Sequence, residues 1–407
     1  MRNISFGSVN DKVSIFWLIA ILFSLLLMAS GASFASTTPR ISAGEYHSLA
    51  LKSDGTVWAW GNNSDGQLGD RETINRRMPV EVLGLKDVVA IAGENTNSLV
   101  LKSDRTVWVW GDNSDGQLGD GTTKKKYFPV QAHGLKDVIA IAGGNSHSLA
   151  LKSNGTVWTW GNNKNSQLGD NTTTNRNIPV QICKFKGVVA VAGGGFHSLA
   201  LKSNGTVWAW GFNNEGALGD GTNMNRSTPA KVGSLSNVTA IASGYRHSLA
   251  LKSDGTVWAW GLNCYGQLGE GTTANRNTPV RVSNLSNVIA IACKGNHNLA
   301  LKSDGTVWAW GSNFYAQLGD GTEENRNTPV RVSNLGGVIA IATGNSHSLA
   351  LKSDGTVWVW GLNGSGQLGD DSPRDRHTPV QVKNINLIQS KVLTPETTTT
   401  QKATSLQ

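Results

Sequence analysis

The sequence predicts an all-β fold, a seven-bladed β-propeller whose blades each contain four strands. The first observation behind this prediction is that Trp-x-Trp-Gly recurs seven times, always 50 residues apart, from Trp58 to Trp358. The second is that every repeat consists of short apolar runs divided by Gly and Asn turn signals, with almost no helical pattern. A fixed period of this length is typical of propellers and solenoids. The 407 residues are therefore interpreted as one repeat domain, at 36–388, with two terminal segments.

The third repeat illustrates the four predicted strands. Residues 138–142 form an apolar run that suits a buried strand, and residues 148–152 form the second strand. A Ser-Asn-Gly turn leads into the third strand at 156–161, because Gly accepts the positive φ of a hairpin turn. A loop containing Gln-Leu-Gly-Asp then precedes the fourth strand at 179–182, which begins with Pro.

Residues 1–35 have the order of a secretory signal peptide. Arg2 and Lys12 precede an apolar run at 13–28, and small residues lead up to Ala35, after which we expect cleavage. An uncleaved anchor is the alternative. The mature chain is thus expected to be secreted, periplasmic or at the cell surface, with no membrane span after cleavage. The Thr-rich residues 389–407 lack an apolar pattern and are expected to be a disordered tail.

The two ends of the repeat region predict how the ring closes. After the last repeat, where a Val-Ile-Ala-Ile-Ala strand is due, residues 387–391 read Leu-Ile-Gln-Ser-Lys. Residues 41–44 match the end of that missing strand. We therefore expect the N-terminal segment to pair with the C-terminal segment, complete the last blade and remove an open sheet edge.

Two motifs carry a family resemblance. Gly-x-Asn-x-x-Gly-Gln-Leu-Gly at 61–69 and Gly-x-x-His-Ser-Leu-Ala-Leu at 144–151 resemble the regulator of chromosome condensation repeat family over residues 41–382. The resemblance implies the seven-bladed propeller. The member that names the family is a nuclear guanine-nucleotide exchange factor, whose exchange face uses carboxylates and a His in the Gly-x-x-His loops and an inserted wedge. Here Glu45 is the one acidic residue at the two positions before the His, and no repeat has an insertion. Nucleotide exchange is therefore the less favoured alternative.

The signal peptide makes the setting of the chain similar to that of a secreted bacterial propeller that inhibits β-lactamases. That protein also carries His-Ser-Leu-Ala-Leu-Lys segments and binds its target through loops at one end of the ring. The similarity implies a protein partner that is bound by loops. The formal charge of +8 is spread over the repeats, so no nucleic-acid partner is expected.

Residues that recur in every repeat are interpreted as scaffold. Fourteen of the fifteen Trp, six His at one repeat position with Asn97 at the seventh, and a Lys at 52 and its equivalents belong to this class. A metal ring is disfavoured, because equivalent atoms on seven blades are too far apart to share an ion. An anionic surface or a glycan is the alternative reading of the Lys ring. We predict no catalytic residue, no metal, no cofactor and no enzymatic activity.

The variable loops are the candidate partner-binding residues. Aromatic and Arg side chains at loop tips often anchor protein interfaces, although they can also fill gaps between loops. The candidates are Glu45, Tyr46, Phe196, Phe212, Tyr245, Arg246, Tyr265, Phe314 and Tyr315. The sequence thus predicts an exported, monomeric scaffold that binds a protein through loops at one end. A carbohydrate or cell-surface ligand is the alternative.

Overall fold

The computed structural model describes residues 37–388, so the predicted signal peptide at 1–35 and the predicted tail at 389–407 lie outside the described residues. Within 37–388 the chain forms 28 β-strands and no helix. These strands make seven antiparallel sheets of four strands each, which confirms the predicted seven-bladed propeller. None of the described residues forms a helix that is long and apolar enough to cross a membrane.

The blades are numbered in chain order, with β1–β4 in blade 1 and β25–β28 in blade 7. Strands β1 to β12 are Arg40–Ala43, His47–Leu51, Val57–Gly61, Arg76–Glu81, Val88–Gly93, Asn97–Lys102, Val107–Gly111, Lys126–Gln131, Val138–Gly143, His147–Lys152, Val157–Gly161 and Arg176–Gln181. Strands β13 to β28 are Val188–Gly193, His197–Lys202, Val207–Gly211, Arg226–Lys231, Val238–Ser243, His247–Lys252, Val257–Gly261, Arg276–Arg281, Val288–Cys293, His297–Lys302, Val307–Gly311, Arg326–Arg331, Val338–Thr343, His347–Lys352, Val357–Gly361 and Arg376–Gln381.

The Gly of Trp-x-Trp-Gly ends the third strand of each blade for a steric reason. Gly161 has a φ of 97°, which L side chains rarely adopt. A Cβ at this position would lie 2.5 Å from the carbonyl oxygen of Ser146, in the loop just before β10. The register of β11 with β12 also shifts here, so the loop that follows can turn away from the blade.

The interfaces between blades hold the largest buried side chains. Trp160 is fully buried, and its indole Nε1 donates a 2.8 Å hydrogen bond to the carbonyl oxygen of Gln117 in the preceding blade. Trp158, two residues earlier, is half-buried, and the Lys152 ammonium lies 4.2 Å from its ring centroid. The second Trp of each motif therefore bonds to the preceding blade, whereas the first, partly exposed under a Lys, packs against the same core between blades without such a bond.

The N-terminal and C-terminal segments meet, as predicted, but the N-terminal segment does not complete the last blade. β1 pairs with β2 inside blade 1, and residues 338–381 supply all four strands of blade 7. A short loop joins β1 to β2, so this local pairing costs less loop-closure entropy than pairing with the far end of the chain. The ends nevertheless meet. Ser53 N donates a 2.9 Å hydrogen bond to Leu387 O, and the His347 Nε2 lies 3.0 Å from the Ser48 Oγ.

One hairpin turn departs from the repeat. Arg105 has a φ of 66° at a position where the other six repeats have Gly. A side chain in this left-handed conformation costs roughly 1 kcal/mol or more relative to Gly. The repeat pattern therefore imposes the backbone of this turn on a residue that does not prefer it.

Candidate functional site

The variable loops all lie at one end of the ring. Each Gly-x-x-His loop adjoins the loop that follows the third strand of its blade, as the 2.8 Å hydrogen bond from Asn62 N to Tyr46 O shows. The hairpin turns, such as the one closed by Gly55 N and Lys52 O, lie at the opposite end. We call residues 44–46, 62–66 and their equivalents the loop end. All nine candidate residues belong to it, as the sequence predicted for Tyr46, Phe196, Tyr245 and Arg246.

Four of the candidate residues form one cluster on blades 4 and 5, here called the Arg246 cluster. The guanidinium carbon of Arg246 lies 5.6, 5.1 and 5.4 Å from the ring centroids of Phe196, Phe212 and Tyr245. Arg246 Nη1 also donates a 2.9 Å hydrogen bond to Glu215 Oε1. Since a cation above aromatic rings and an ion pair both restrict the side chain, the cluster is rigid.

Three more candidate residues form a second feature, here called the Phe314 patch, on blades 5 and 6. Tyr265 and Phe314 meet edge to face with their centroids 5.4 Å apart. Phe314 is 55% exposed and Tyr315 is 45% exposed, which is high for large aromatic side chains. Exposed aromatic residues on a rigid loop are typical anchors of protein interfaces.

The loop end surrounds the mouth of the central channel. The Gly-x-x-His loops are joined from blade to blade by backbone hydrogen bonds, such as Glu45 N to Asn95 O at 3.0 Å and Tyr245 N to Gly295 O at 2.9 Å. Within the mouth is a cavity of about 180 Å³. It is lined by Glu45, Asn95, Asn145, Tyr245, Lys294, Asn296 and Asn345. Two candidate residues, Glu45 and Tyr245, thus line a polar cavity.

Sequence reasoning missed two charged residues in the channel. At the Gly of Gly-x-x-His, five repeats have Gly, but blade 2 has Glu94 and blade 6 has Lys294. A Cβ at Gly44 would lie 2.0 Å from the imidazole Cε1 of His47, so a side chain at this position needs the neighbouring atoms to shift. Blade 6 nevertheless combines Lys294 with His297. In blade 2 the His is replaced by the shorter Asn97, which leaves space for Glu94. Opposite charges at a position that is otherwise Gly are the signal that would have found both residues.

Glu94 and Lys294 extend the loop end into the channel. Ser148 Oγ, which occupies the position that a His contacts in the other blades, donates a hydrogen bond to the Glu94 carboxylate instead. Lys294 Nζ donates a hydrogen bond to the carbonyl oxygen of Gly93, so blade 6 contacts blade 2 across the channel. The Lys294 side chain therefore connects opposite sides of the ring through a hydrogen bond across the channel.

Burial shifts the pKa values of these charged groups. Desolvation raises the pKa of Glu94 to about 8, although its hydrogen bond from Ser148 and the nearby Lys294 oppose this shift. Desolvation lowers the pKa of Lys294 to about 8, against the attraction of Glu94 and Glu45. Burial also raises the pKa of Glu45, while hydrogen bonding with Tyr46 lowers it. The mouth therefore holds an ammonium group and carboxyl groups in a setting that disfavours isolated charges.

The repeated His residues connect neighbouring blades. His147 Nε2 lies 2.9 Å from Ser198 Oγ of the next blade, and the other five form equivalent contacts to Ser or Asn298. Burial lowers the pKa of His247 to about 4 and lowers the other five pKa values to about 3, so all six are neutral links. Between residues 37 and 388, no group of three or more His, Cys, Asp or Glu could hold a metal ion.

The repeated Lys residues form a ring at the opposite end from the variable loops. Each Lys Nζ lies 4.1 to 5.7 Å from the ring centroid of the first Trp of its own motif. These contacts are cation–π interactions within a blade. The Lys ring is therefore part of the scaffold in each blade, and it does not adjoin the loop end.

Comparison with known proteins agrees with this architecture. The model of the RCC1-like domain matches residues 27–340 and, in an overlapping match, residues 132–399. The crystal structure of human WBSCR16 superposes with a TM-score of 0.73 and 28% identity, covering 80% of this chain and 93% of that chain. Prp20p from Saccharomyces cerevisiae superposes with a TM-score of 0.73 and 25% identity, covering 86% of each chain.

A curated relative matches over a shorter segment. The mitochondrial RCC1 domain-containing protein RUG3 of Arabidopsis thaliana is 44% identical over 48 residues. The match covers 12% of this chain and 11% of that relative. The family assignment therefore depends on the domain match over most of the chain and on the seven repeats that fold as blades. The chain belongs to the RCC1-like domain family.

Proposed function

We propose that this chain is an exported, monomeric scaffold without enzymatic activity that binds a protein partner through the loop end of its propeller. The observation that carries the proposal is the Phe314 patch, in which Phe314 and Tyr315 are 55% and 45% exposed on adjacent loop positions. Burying two such rings against a partner would contribute several kcal/mol at about 25 cal/mol per Å² of apolar surface. The signal-like residues 1–35 support export.

The Arg246 cluster supports the same end of the ring in a different way. Its side chains are half-buried and already contact one another, and Arg246 is paired with Glu215 at 2.9 Å. Such a cluster presents a preorganised surface, because little side-chain entropy remains to be lost on binding. We assign the anchoring contacts to the Phe314 patch and the neighbouring rigid surface to the Arg246 cluster.

The relatives favour a binding protein. The crystal structure of Prp20p, 25% identical to this chain, was described together with its binding properties to Gsp1p and histones. Protein binding has thus been described for a related propeller. The identity of the partner is not carried over, because a shared fold leaves the loop residues free to differ.

The test is affinity capture with residues 36–407 as bait in material from the compartment to which the chain is exported. We expect the Phe314→Ala/Tyr315→Ala double variant to weaken capture of the partner at least tenfold, since it removes the exposed anchors. The matched control is Ile139→Ala/Ile339→Ala, which removes two side chains that are 48% and 55% exposed on other blades, outside the loop end. Equal capture by the anchor variant and the wild type would exclude the Phe314 patch as the site.

A further inference from the structure

The cavity in the channel mouth has the size of a small metabolite. Its volume of about 180 Å³ is well above the roughly 10–15 Å³ that a cavity needs in order to hold one water molecule. Four of the seven lining residues are Asn, and Tyr245 supplies the one aromatic ring. A cavity this small and this polar suits a compact ligand with several hydrogen-bonding groups.

Lys294 supplies a positive charge that the protein does not fully pair. An ammonium has three N–H donors, and Lys294 Nζ uses one of them for the carbonyl oxygen of Gly93. Among residues 37–388, no carboxylate forms an ion pair with Lys294 within 4.0 Å. Burying an ammonium without a close counter-ion is costly, so the position favours a ligand that brings a negative group.

Glu45 supplies the opposite charge in the same cavity. Its carboxylate accepts a 3.3 Å hydrogen bond from Asn345 Nδ2, and it is close enough to attract Lys294 without forming an ion pair. Asn296 also lines the cavity, and its Oδ1 is buried with no hydrogen-bond partner in the described part of the chain. The cavity therefore offers a carboxylate that can pair with a cation, an ammonium that can pair with an anion, and an amide oxygen that accepts no hydrogen bond from the described residues.

We propose that the channel mouth binds a small zwitterion, a free amino acid with a short or polar side chain, with its carboxylate at Lys294 and its ammonium at Glu45. A simple carboxylic acid would satisfy Lys294 but would meet the negative charge of Glu45. A simple amine would pair with Glu45 but would meet the positive charge of Lys294. A zwitterion satisfies both groups, and the Asn side chains accommodate a hydroxyl or amide on the ligand. This site is separate from the protein anchor at the Phe314 patch.

The position of the site explains why Lys294 departs from the repeat. A Gly at this position, as in five other blades, would leave the cavity without a cation. Glu94 lies deeper, fully buried and bonded to Ser148, so it contributes to the field around Lys294 without lining the cavity. Ligand binding at the mouth therefore depends on Lys294 and Glu45. Glu94, beneath them, already has a hydrogen-bond partner in the protein and does not contact the ligand.

The test is isothermal titration calorimetry of residues 36–407 with serine and glycine in a dilute phosphate buffer that contains no amine or zwitterion. Propionate and ethylamine, which each carry one of the two charges, are titrated in parallel. We expect serine or glycine to bind at least tenfold more tightly than either single-charge compound. Absence of binding by both amino acids, or equal binding of propionate, would overturn the proposal.

Variants separate ligand binding from folding. Lys294→Met and Glu45→Gln are each expected to weaken serine binding at least tenfold. Lys294→Gly restores the common residue of the repeat and so gives a second variant that should keep the fold. The matched control is Lys302→Met, which removes a Lys of the same blade that lies over Trp308 at the opposite end and should leave binding unchanged. Unchanged serine binding in Lys294→Gly would contradict the proposal even if Lys294→Met failed to fold.

Discussion

Acidification below pH 6.5 is expected to destabilise this propeller steeply, because six buried His are neutral in the fold. Their pKa values are about 3, or about 4 for His247, against 6.5 for an exposed His. A lowered folded pKa means that the unfolded chain binds more protons at acid pH. The stability that the His contribute is therefore complete above pH 6.5 and is lost as the pH falls from 6.5 towards 3.

The size of this effect follows from the number of protons. Each buried His contributes about 1.4 kcal/mol per pH unit, so six would contribute about 8 kcal/mol per pH unit near pH 5. Domains are stable by only about 5–15 kcal/mol, and we therefore expect unfolding within about two units below pH 6.5. Glu94, whose pKa is raised from 4.5 to about 8, and Glu45, whose pKa is also raised, act in the opposite direction, but they are two groups against six.

Denaturant unfolding between about pH 5.5 and 8, where the protein is still folded, measures the slope. His147→Asn should lower the slope by about one proton, because it removes one buried imidazole and places there the residue that blade 2 has at position 97. His133→Asn, at an exposed position, is the matched control and should leave the slope unchanged. An equal slope in all three proteins would show that the buried His do not control acid stability.

Removing Trp260 is expected to destabilise the propeller by about 3–5 kcal/mol, the usual cost of replacing a buried Trp with Ala. Trp260 is fully buried, and its Nε1 donates a 2.8 Å hydrogen bond to Ala217 O in the preceding blade. The change leaves a cavity between two blades and removes one of the two hydrogen bonds that Ala217 O accepts, the other coming from Ser248 Oγ. Trp260→Phe should cost less than Trp260→Ala, because the ring remains while the hydrogen bond is lost.

Trp258→Ala is the matched control for Trp260→Ala. Trp258 is two residues away on the same strand but half-buried, with the Lys252 Nζ 5.5 Å from its ring centroid. We expect its loss to cost clearly less than the loss of Trp260, because less buried apolar surface is lost and its Nε1 bonds to Thr256 of the same blade, so no hydrogen bond between blades is broken. Midpoints of thermal and urea unfolding compare the two variants. Equal destabilisation would contradict the assignment of Trp260 to the blade interface.

The fold can be predicted from the sequence because the motifs that specify it are short and occur in every repeat. The spacing of Trp-x-Trp-Gly and the turn signals predicted four strands in each blade, and the structure confirms their number and order. The fourth strand of blade 3 begins at Arg176, three residues before the predicted start at Pro179. The sequence predicted that the two ends meet but assigned residues 41–44 to the last blade, because their similarity to a repeat did not reveal that they pair with β2. A short loop favours the local partner, and sequence similarity alone does not weigh that entropy.

The candidate site was predictable only in part. Loop variation identified Glu45 and the aromatic residues, because they stand out against the constant repeat. It did not identify the Arg246 cluster as a rigid unit, since Phe196 and Arg246 are 50 positions apart and meet across a blade boundary. Loop variation also did not identify Glu94 and Lys294, which occupy the position of the Gly in the Gly-x-x-His motif.

The number of blades, the strands in each and the grouping of the variable loops at one end of the ring can be predicted from the sequence, because they follow from periodicity and turn chemistry over a few residues. The tertiary structure alone decided which distant residues meet. Closure brings His347 to Ser48 and Lys294 to Gly93, pairs separated by 299 and 201 positions. No local pattern encodes such contacts, since they arise from the curvature that seven packed blades accumulate when they form a ring.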